Sequence, residues 1–527
     1  MSNVDRIIKR YDRLKANRGV WDSHWREIAE LIYPRRDDFD TKRAPGEKRQ
    51  QRLFSSTPIK ANELLASALV SLSVSPATKW FKANTDNFDE DGKRWLDNAS
   101  EIMLNSINAS SSNFYTSMYE YFLEFSAFGT AGLFIDENEN KDGLIFQARS
   151  LTEIVIAESA AGVIDTVYRR FEWTVQQIME HWPDNTSKSI AKAIEAERFD
   201  QKLFIIHCIQ PRKERDASKK TADNMPIESA YVLQVDRTLL EEGGFQEMPL
   251  TVGRFYKSPM ETYGRSPAMT ALPDVKVLNE MVRVMLQAGQ KSVDPPLIVA
   301  NDGFLGSLRL KPGGVNTFFG NPNEAIAQLP PARMDIGEAL INSYEDKVRS
   351  TFFVDQLQFT GGPQMTATEV LQRTEEKTRL IGPVTGRVNS EVLGPTLERV
   401  FGILFRQGKF GPPPESIGAS FDFEYTNQIA QAQKQQEANG FLRAVQSMAP
   451  LLELQPTLLI ENINGDKLLR DTMQEFGVNM DKLTQEEERD ASRQQRQELE
   501  AQQQQAAMVQ QSAEAGQAVQ QVAQAAQ

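Results

Sequence analysis

Apolar and polar positions change rhythm several times along the chain, and each change marks an expected element. Near the start Val4, Ile7, Ile8, Tyr11 and Leu14 recur at helical spacing, and Trp21, Trp25, Ile28, Ala29 and Ile32 repeat the pattern up to Pro34. Thr57 as cap and Pro58 in the first turn predict a helix through Leu64, Leu65, Ala68, Leu69 and Leu72, ended by Ser75-Pro76. A Phe- and Tyr-rich stretch from Phe114 to Phe128 predicts a core helix with Gly129 at its C-terminal cap.

From Ala131 to about Tyr256 the pattern shortens to runs of Val, Ile, Phe and Tyr: 144–146, 153–156, 163–171, 203–209 and 231–233. These read as strands, interrupted by one helix around Thr174 to Trp182. Between two apolar triplets, Asp136 to Gly143 reads as an acidic hairpin turn; Lys141 and Gln147 stand where a calcium loop needs glycine and glutamate.

Helical spacing returns at Ser266-Pro267, a cap and a first-turn proline. A helix from there to Lys291 is roughly 37 Å long at about 1.5 Å per residue, with Pro273 either kinking it or marking a later start. Asp294-Pro295-Pro296 stops it, residues 297–332 are rich in Gly, Pro and Asn, and Ile336, Leu340, Ile341, Tyr344 and Val348 restore a helix over Asp335 to about Phe353.

After Gly361-Gly362-Pro363, Thr366 and Glu369 have capping-box spacing. A long helix then carries Val370, Leu371, Leu380, Ile381, Val384, Val388, Val392 and Leu393. Pro383 and Pro395 predict a bend, or two ordinary helices split at Pro383. A strand-like run, Phe421 to Tyr425, closes this body, and helices dominate beyond Ile429. From Gln485 a Gln-, Ala- and Glu-rich tail has little to bury, so it is either disordered or a helix stable only beside other copies. The fold class is α+β.

The 527 residues suffice for two or three domains. No apolar run approaches the roughly 20 residues of a membrane span, and the N-terminal stretch lacks the apolar region of a signal peptide, so a protein that is soluble and cytosolic where it is made is expected. The single Cys208, in LFIIHCI, reads as a buried structural thiol, and His24, His181 and His207 are too scattered for a metal cluster. A formal charge of −13 argues against tight, sequence-independent capture of nucleic acid and leaves room for DNA only as a transient passenger. The basic stretch from Pro34 to Arg52 lacks interleaved aromatics and reads as a solvated loop. Phosphate-loop, HExxH, GxSxG and CxxC patterns are missing, so no catalytic residue, cofactor or metal is assigned.

Several of these segments together resemble the portal, or head-to-tail connector, proteins of short-tailed phages of the T7-like group. They are Phe54 to Thr57, Trp80-Phe81, Tyr263-Gly264-Arg265-Ser266-Pro267, Met365 to Val370 with Gln372-Arg373, Gly382-Pro383, Gly386-Arg387 and Leu393-Gly394-Pro395. The resemblance implies a wing over residues 1–265, stem helices over 266–293 and 335–358, and a clip over 294–334. It further implies a tunnel loop with a kinked wing helix and closing strand over 359–428, a crown over 429–484 and a tail over 485–527. It also implies a homododecameric ring at one capsid vertex of the virion, a channel for packaging and ejecting double-stranded DNA, and no enzyme activity. Its partners would be terminase, major capsid protein, scaffolding protein, tail adaptor and internal core proteins. Gly361, Gly362, Pro363, Gln364, Met365 and Thr366 would form the DNA-facing tunnel loop, with Lys276, Arg283, Lys347 and Arg349 as candidate basic rings in the lumen. The rival readings are a non-channel core or scaffold component of the virion and a nucleic-acid-processing enzyme, which would need a clustered acidic site.

Overall fold

The computed structural model describes residues 3–293, 334–357, 381–414, 422–426, 489–499 and 502, with two further strands at 297–299 and 326–328 and breaks between 35 and 51, at 77, 85–89, 139, 185–186, 217 and 220. The chain divides into a unit of residues 1–428 and a second of 429–527. In the second unit the described residues 489–499 form a helix with almost wholly exposed side chains. The predicted crown, 429–484, lies outside the described residues.

The first unit is built around α5 (Phe114–Phe128), following α1 (Asn3–Asn17), α2 (Gly19–Leu31), α3 (Thr57–Ser73), β1 (Phe81–Asn84) and α4 (Glu90–Asn108). Phe114, Met118, Tyr121, Phe122, Phe125 and Phe128 are all buried, so this helix is apolar on nearly every side. Three of its buried polar side chains are satisfied internally. Ser117 donates to the Phe146 carbonyl, Ser126 to Asn62, and Glu124 accepts from the Leu151 amide. Gly129 ends it at φ +77°, as expected of a C-terminal glycine. The sequence reading overlooked α4, although Leu96, Ala99, Met103 and Ile107 line one face.

The strand-rich stretch resolves into two antiparallel sheets. The smaller orders β3 (Leu144–Arg149), β2 (Thr130–Glu137) and β9 (Leu250–Arg254) against the α5 core. The Asp136–Gly143 loop is a hairpin turn, with Asn138 accepting from the amides of Asp142 and Gly143 and Lys141 at positive φ. The larger sheet runs β4 (Ile154–Glu158), β5 (Ile164–Thr174), β6 (Lys202–Pro211), β7 (Ile227–Leu233) and β8 (Thr238–Phe245) in order. Ile7, Ile8 and Tyr11 of α1 cover one face over Tyr168, Ile206 and Cys208. On the other, α6 (Val175–His181) and α7 (Lys188–Glu195) pack on Phe171, Ile205 and Leu233. With both faces covered, β6 is buried almost throughout, which explains its unbroken apolar run. Cys208 is buried there, and loss of solvation pushes its thiol up to about 12.

The remaining elements are α8 (Pro267–Val293), β10 (Leu297–Val299), β11 (Ile326–Gln328), α9 (Met334–Thr351), α10 (Val354–Leu357), α11 (residues 381–388), a π-helical turn (Asn389–Leu393), α12 (Gly394–Arg406) and β12 (Asp422–Tyr425). Two local expectations change. Thr57 is not the cap of α3 but its first residue, after Ser56, and its hydroxyl donates to Glu345 of α9 at 2.9 Å. Pro395 neither breaks nor ends the helix, because the π turn accommodates it. A proline has no N–H to return to the carbonyl four residues earlier and its ring crowds that carbonyl. With the Gly394 amide bonded back to Asn389, the widened turn lets the helix continue into α12.

Candidate functional site

The segment that starts α8 is tied into the body by backbone contacts. Tyr263 is buried edge-on against Trp25 at 5.1 Å, and the Ile156 amide donates to its hydroxyl. Gly264 crosses Gly129 so closely that a Cβ there would lie 2.2 Å from the Gly129 carbonyl oxygen. Arg265 makes a strand bridge with Tyr256 and a 2.5 Å ion pair with Glu261. Ser266 accepts from the Met269 amide as the predicted cap and donates to the Ala127 carbonyl at 2.7 Å, which locks the first turn of α8 to the end of α5. Tyr263, Gly264, Arg265 and Ser266 therefore each make a contact that ties this entry down, and together they fix the direction in which α8 leaves the body.

The helix continues through Pro273 to Val293 without a stop. That proline is the seventh residue of the helix, past the unpartnered amides of the first turn, so it removes the bond an N–H there would return to the Met269 carbonyl, and the helix continues in spite of that loss. Antiparallel to it runs α9, whose Gly337 sits against Met285 while Met334 reaches Gly289. Along α8, Ala271, Val275 and Leu278 are buried, whereas Lys276 and Arg283, seven residues apart, share a polar side. Lys276 donates to Glu27 of α2 at 2.6 Å, holding that carboxyl below its usual range, and Arg283 pairs with Glu280 at 2.5 Å. On α9, Lys347 and Arg349 do not share a side. Lys347 lies 4.4 Å over the Tyr344 ring, and Arg349 pairs with Glu345 at 3.1 Å and Asp346 at 3.3 Å. The pair thus presents cations whose charge is largely matched by neighbouring carboxylates. The expected tunnel loop, Gly361 to Thr366, lies outside the described residues.

The family of bacteriophage head to tail connecting proteins matches residues 4–483. The chain belongs to this family. It is 31% identical over 470 residues to a probable portal protein of Bordetella phage BPP-1, covering 86% of this chain and 84% of that protein. It is 28% identical over 520 residues to the portal protein of Salmonella phage epsilon15, covering 93% and 91%. A chain from the virion of a native gene transfer agent particle overlays 79% of this chain and 94% of its own at 9% identity and a TM-score of 0.38, too loose a likeness to carry weight.

Within this connector the sequence reading missed a buried ionic hub beside the π turn. Arg254, at the end of β9, is buried and forks between Glu391 at 2.8 Å and Glu158, while donating to the Gly162 carbonyl at 3.0 Å. Its own amide donates to Glu391, and Arg387 reaches the same carboxylate at 3.1 Å. Tyr425 of β12 donates to the Asn389 carbonyl at 3.2 Å. These bonds hold both sheets and the turn in one register. A second fork does the same for α12, where Arg399 and Arg406 grip Glu247 at 3.0 and 2.7 Å. An arginine ending an otherwise apolar strand was the available signal for Arg254; its partners, far away in sequence, were not visible.

Proposed function

We propose that the chain is the portal of a phage virion: a ring at one capsid vertex that conducts the genome during packaging and ejection and on which terminase and the tail dock. The observation that carries the reading is the α8–α9 pair, fixed at its base by the Tyr263–Pro267 contacts and bearing Lys276 and Arg283 on one polar side. Copies arranged about an axis with that side inward would line a tube with cations already matched by carboxylates. Such a surface touches phosphates weakly and repeatedly, and lets a duplex slide where a strongly basic one would arrest it.

In this reading α8 and α9 are the stem, residues 294–334 the clip, residues 1–265 with 359–428 the wing and tunnel loop, and 429–484 the crown. The work is structural, with chemistry left to partners. Electron microscopy of the purified protein, with symmetry counted in end-on views, tests it. Closed rings with a central hole, twelvefold or near it, are expected; monomers or open filaments persisting at high concentration would overturn it in favour of a core or scaffold component.

A further inference from the structure

The outer side of α1 carries cations that the protein does not match. Arg6, Lys9, Arg10 and Arg13 are all exposed, and their spacing puts them within an arc of about 100° of the helix. They lie opposite Ile7, Ile8 and Tyr11, which are buried over the larger sheet, so the stripe is held on a fixed platform. Neighbouring carboxylates are engaged with other groups. Asp5 pairs with Arg237 of the β7–β8 turn at 3.5 Å, and Asp22 pairs with Lys15 at 2.6 Å and Arg18 at 2.8 Å. Glu228 accepts from Asn3 and Gln210, with Arg6 no nearer than 4.0 Å. Asp12, on the flank of the stripe, is the one exposed carboxylate of the helix. Lys9, Arg10 and Arg13 form no ion pair among the described residues. The contrast with α8 and α9 is direct, since Lys276, Arg283 and Arg349 each have a carboxylate. With five cations against two carboxylates, α1 is basic in a chain whose formal charge is −13.

We propose that this stripe docks an acidic helical segment of another protein. Charge complementarity sets the sign of the partner, and geometry sets its kind. Side chains three and four residues apart on a helix repeat at about 5–6 Å. A partner helix with Glu or Asp at i, i+3 or i+4, and i+7 therefore presents its carboxylates at the spacing of Arg6, Lys9, Arg10 and Arg13, and the three guanidinium groups can each take a carboxylate through two parallel bonds. The stripe is about 10 Å long at about 1.5 Å per residue, which is two turns of such a partner. Duplex DNA has the same sign of charge but fits less well. The stripe is one helix wide, and a duplex laid on it reaches past it onto the rest of a chain that is more acidic than its net charge, where phosphates are repelled. The surface lies apart from α8 and α9, and the proposal does not depend on ring formation.

Fluorescence anisotropy with the full-length protein tests it, using three labelled probes at low salt: a short Ala-rich helical peptide with Glu at i, i+4 and i+7, its Gln counterpart, and a short DNA duplex. The Glu peptide should bind, the Gln peptide should not, and the duplex should bind more weakly than the Glu peptide. Arg10→Glu/Arg13→Glu should weaken binding of the Glu peptide by about tenfold or more, and added salt should weaken wild-type binding more than what remains in the variant. Lys192→Glu/Lys213→Glu changes the net charge by the same amount at exposed positions away from α1 and should bind the peptide as wild type does. Circular dichroism and urea unfolding matching wild type establish that each variant is folded. Should the reversals disturb α1, Lys9→Gln/Arg10→Gln/Arg13→Gln replaces them with a loss in the same direction expected. A Glu peptide that fails to bind or binds no better than its Gln counterpart, α1 variants that bind as wild type does, or an equal loss in the control variant would overturn the proposal. Tighter binding of the duplex than of the Glu peptide would overturn it in favour of a nucleic-acid contact.

Discussion

The crossing of Gly129 and Gly264 allows a demanding prediction. In Gly264→Ala the new Cβ would lie 2.2 Å from the Gly129 carbonyl oxygen, 2.9 Å from Arg254 Cβ and 3.1 Å from Arg254 Cα. Ordinary carbon–oxygen contacts begin near about 3.3 Å, so backbone must move by about 1 Å. Neither side yields easily. The Gly129 carbonyl accepts from the Phe255 amide at 2.9 Å, and the Gly264 amide donates to Thr130 at 2.8 Å. Overpacking costs about 1–3 kcal/mol, and a stretched or lost buried hydrogen bond adds a further about 1–3 kcal/mol. A loss of about 3 kcal/mol or more is expected. Urea unfolding followed by tryptophan fluorescence measures it, since Trp25 packs on Tyr263 beside the crossing. Gly386→Ala is the control: it lies in a helix, exposed, with nothing within 4 Å of a Cβ, and should stabilise by about 0.5–1 kcal/mol. A Gly264→Ala protein within 0.5 kcal/mol of wild type (roughly the spread of neutral surface changes) would refute the steric account.

Arg254→Met should destabilise by about 3 kcal/mol by removing the buried cation that Glu391 and Glu158 share, leaving them only Arg387 and Lys257 as partners, and adding Glu391→Met should recover part of that; additive losses in the double-mutant cycle would rule out the hub. His207, buried and stacked 3.9 Å from Tyr231, is held neutral by burial with a folded value of about 3. This is below the unfolded value, so its contribution is fully present above about pH 6.5 and is lost as pH falls towards 3. Stability should drop by about 2 kcal/mol between pH 7 and pH 5 at about 1.4 kcal/mol per unit. The measurement is the difference from His207→Gln over that range, and parallel curves would refute it. Deleting Gly362 to Thr366 should leave rings intact yet impair DNA packaging or retention in phage assembled with the variant; normal packaging and retention would end the tunnel-loop assignment.

What the sequence made legible depended on how local the cause was. Ser266 before Pro267, Gly129 after an aromatic helix, and the Asn138–Gly143 turn are set by neighbours, and each formed as expected. Thr57 looked like a cap because hydroxyls favour that position, but α9 supplies Glu345 from 288 residues away and takes the hydroxyl instead. Pro395 announced a disturbance correctly, yet whether a helix kinks, stops or widens is decided by what surrounds it, here Tyr425 and the Arg254–Glu391 pair. The basic residues show the same limit. Arg283 could be matched to Glu280 from spacing alone, whereas the Lys276–Glu27 pair joins helices 249 residues apart.

The pairing of β1 with β12 has a consequence for how the protein is made. Phe81 lies opposite Tyr425, 344 positions later, and Trp80 accepts the Thr426 amide through its carbonyl. A ribosome adding about 5–20 residues per second needs about 17–70 s to cover that distance. Throughout that interval β1 has an unsatisfied edge, and the aromatic contact of Phe81 with Phe423 cannot form. The nascent chain therefore waits, partly folded, for β12, and this is the period in which a chaperone would have most to protect.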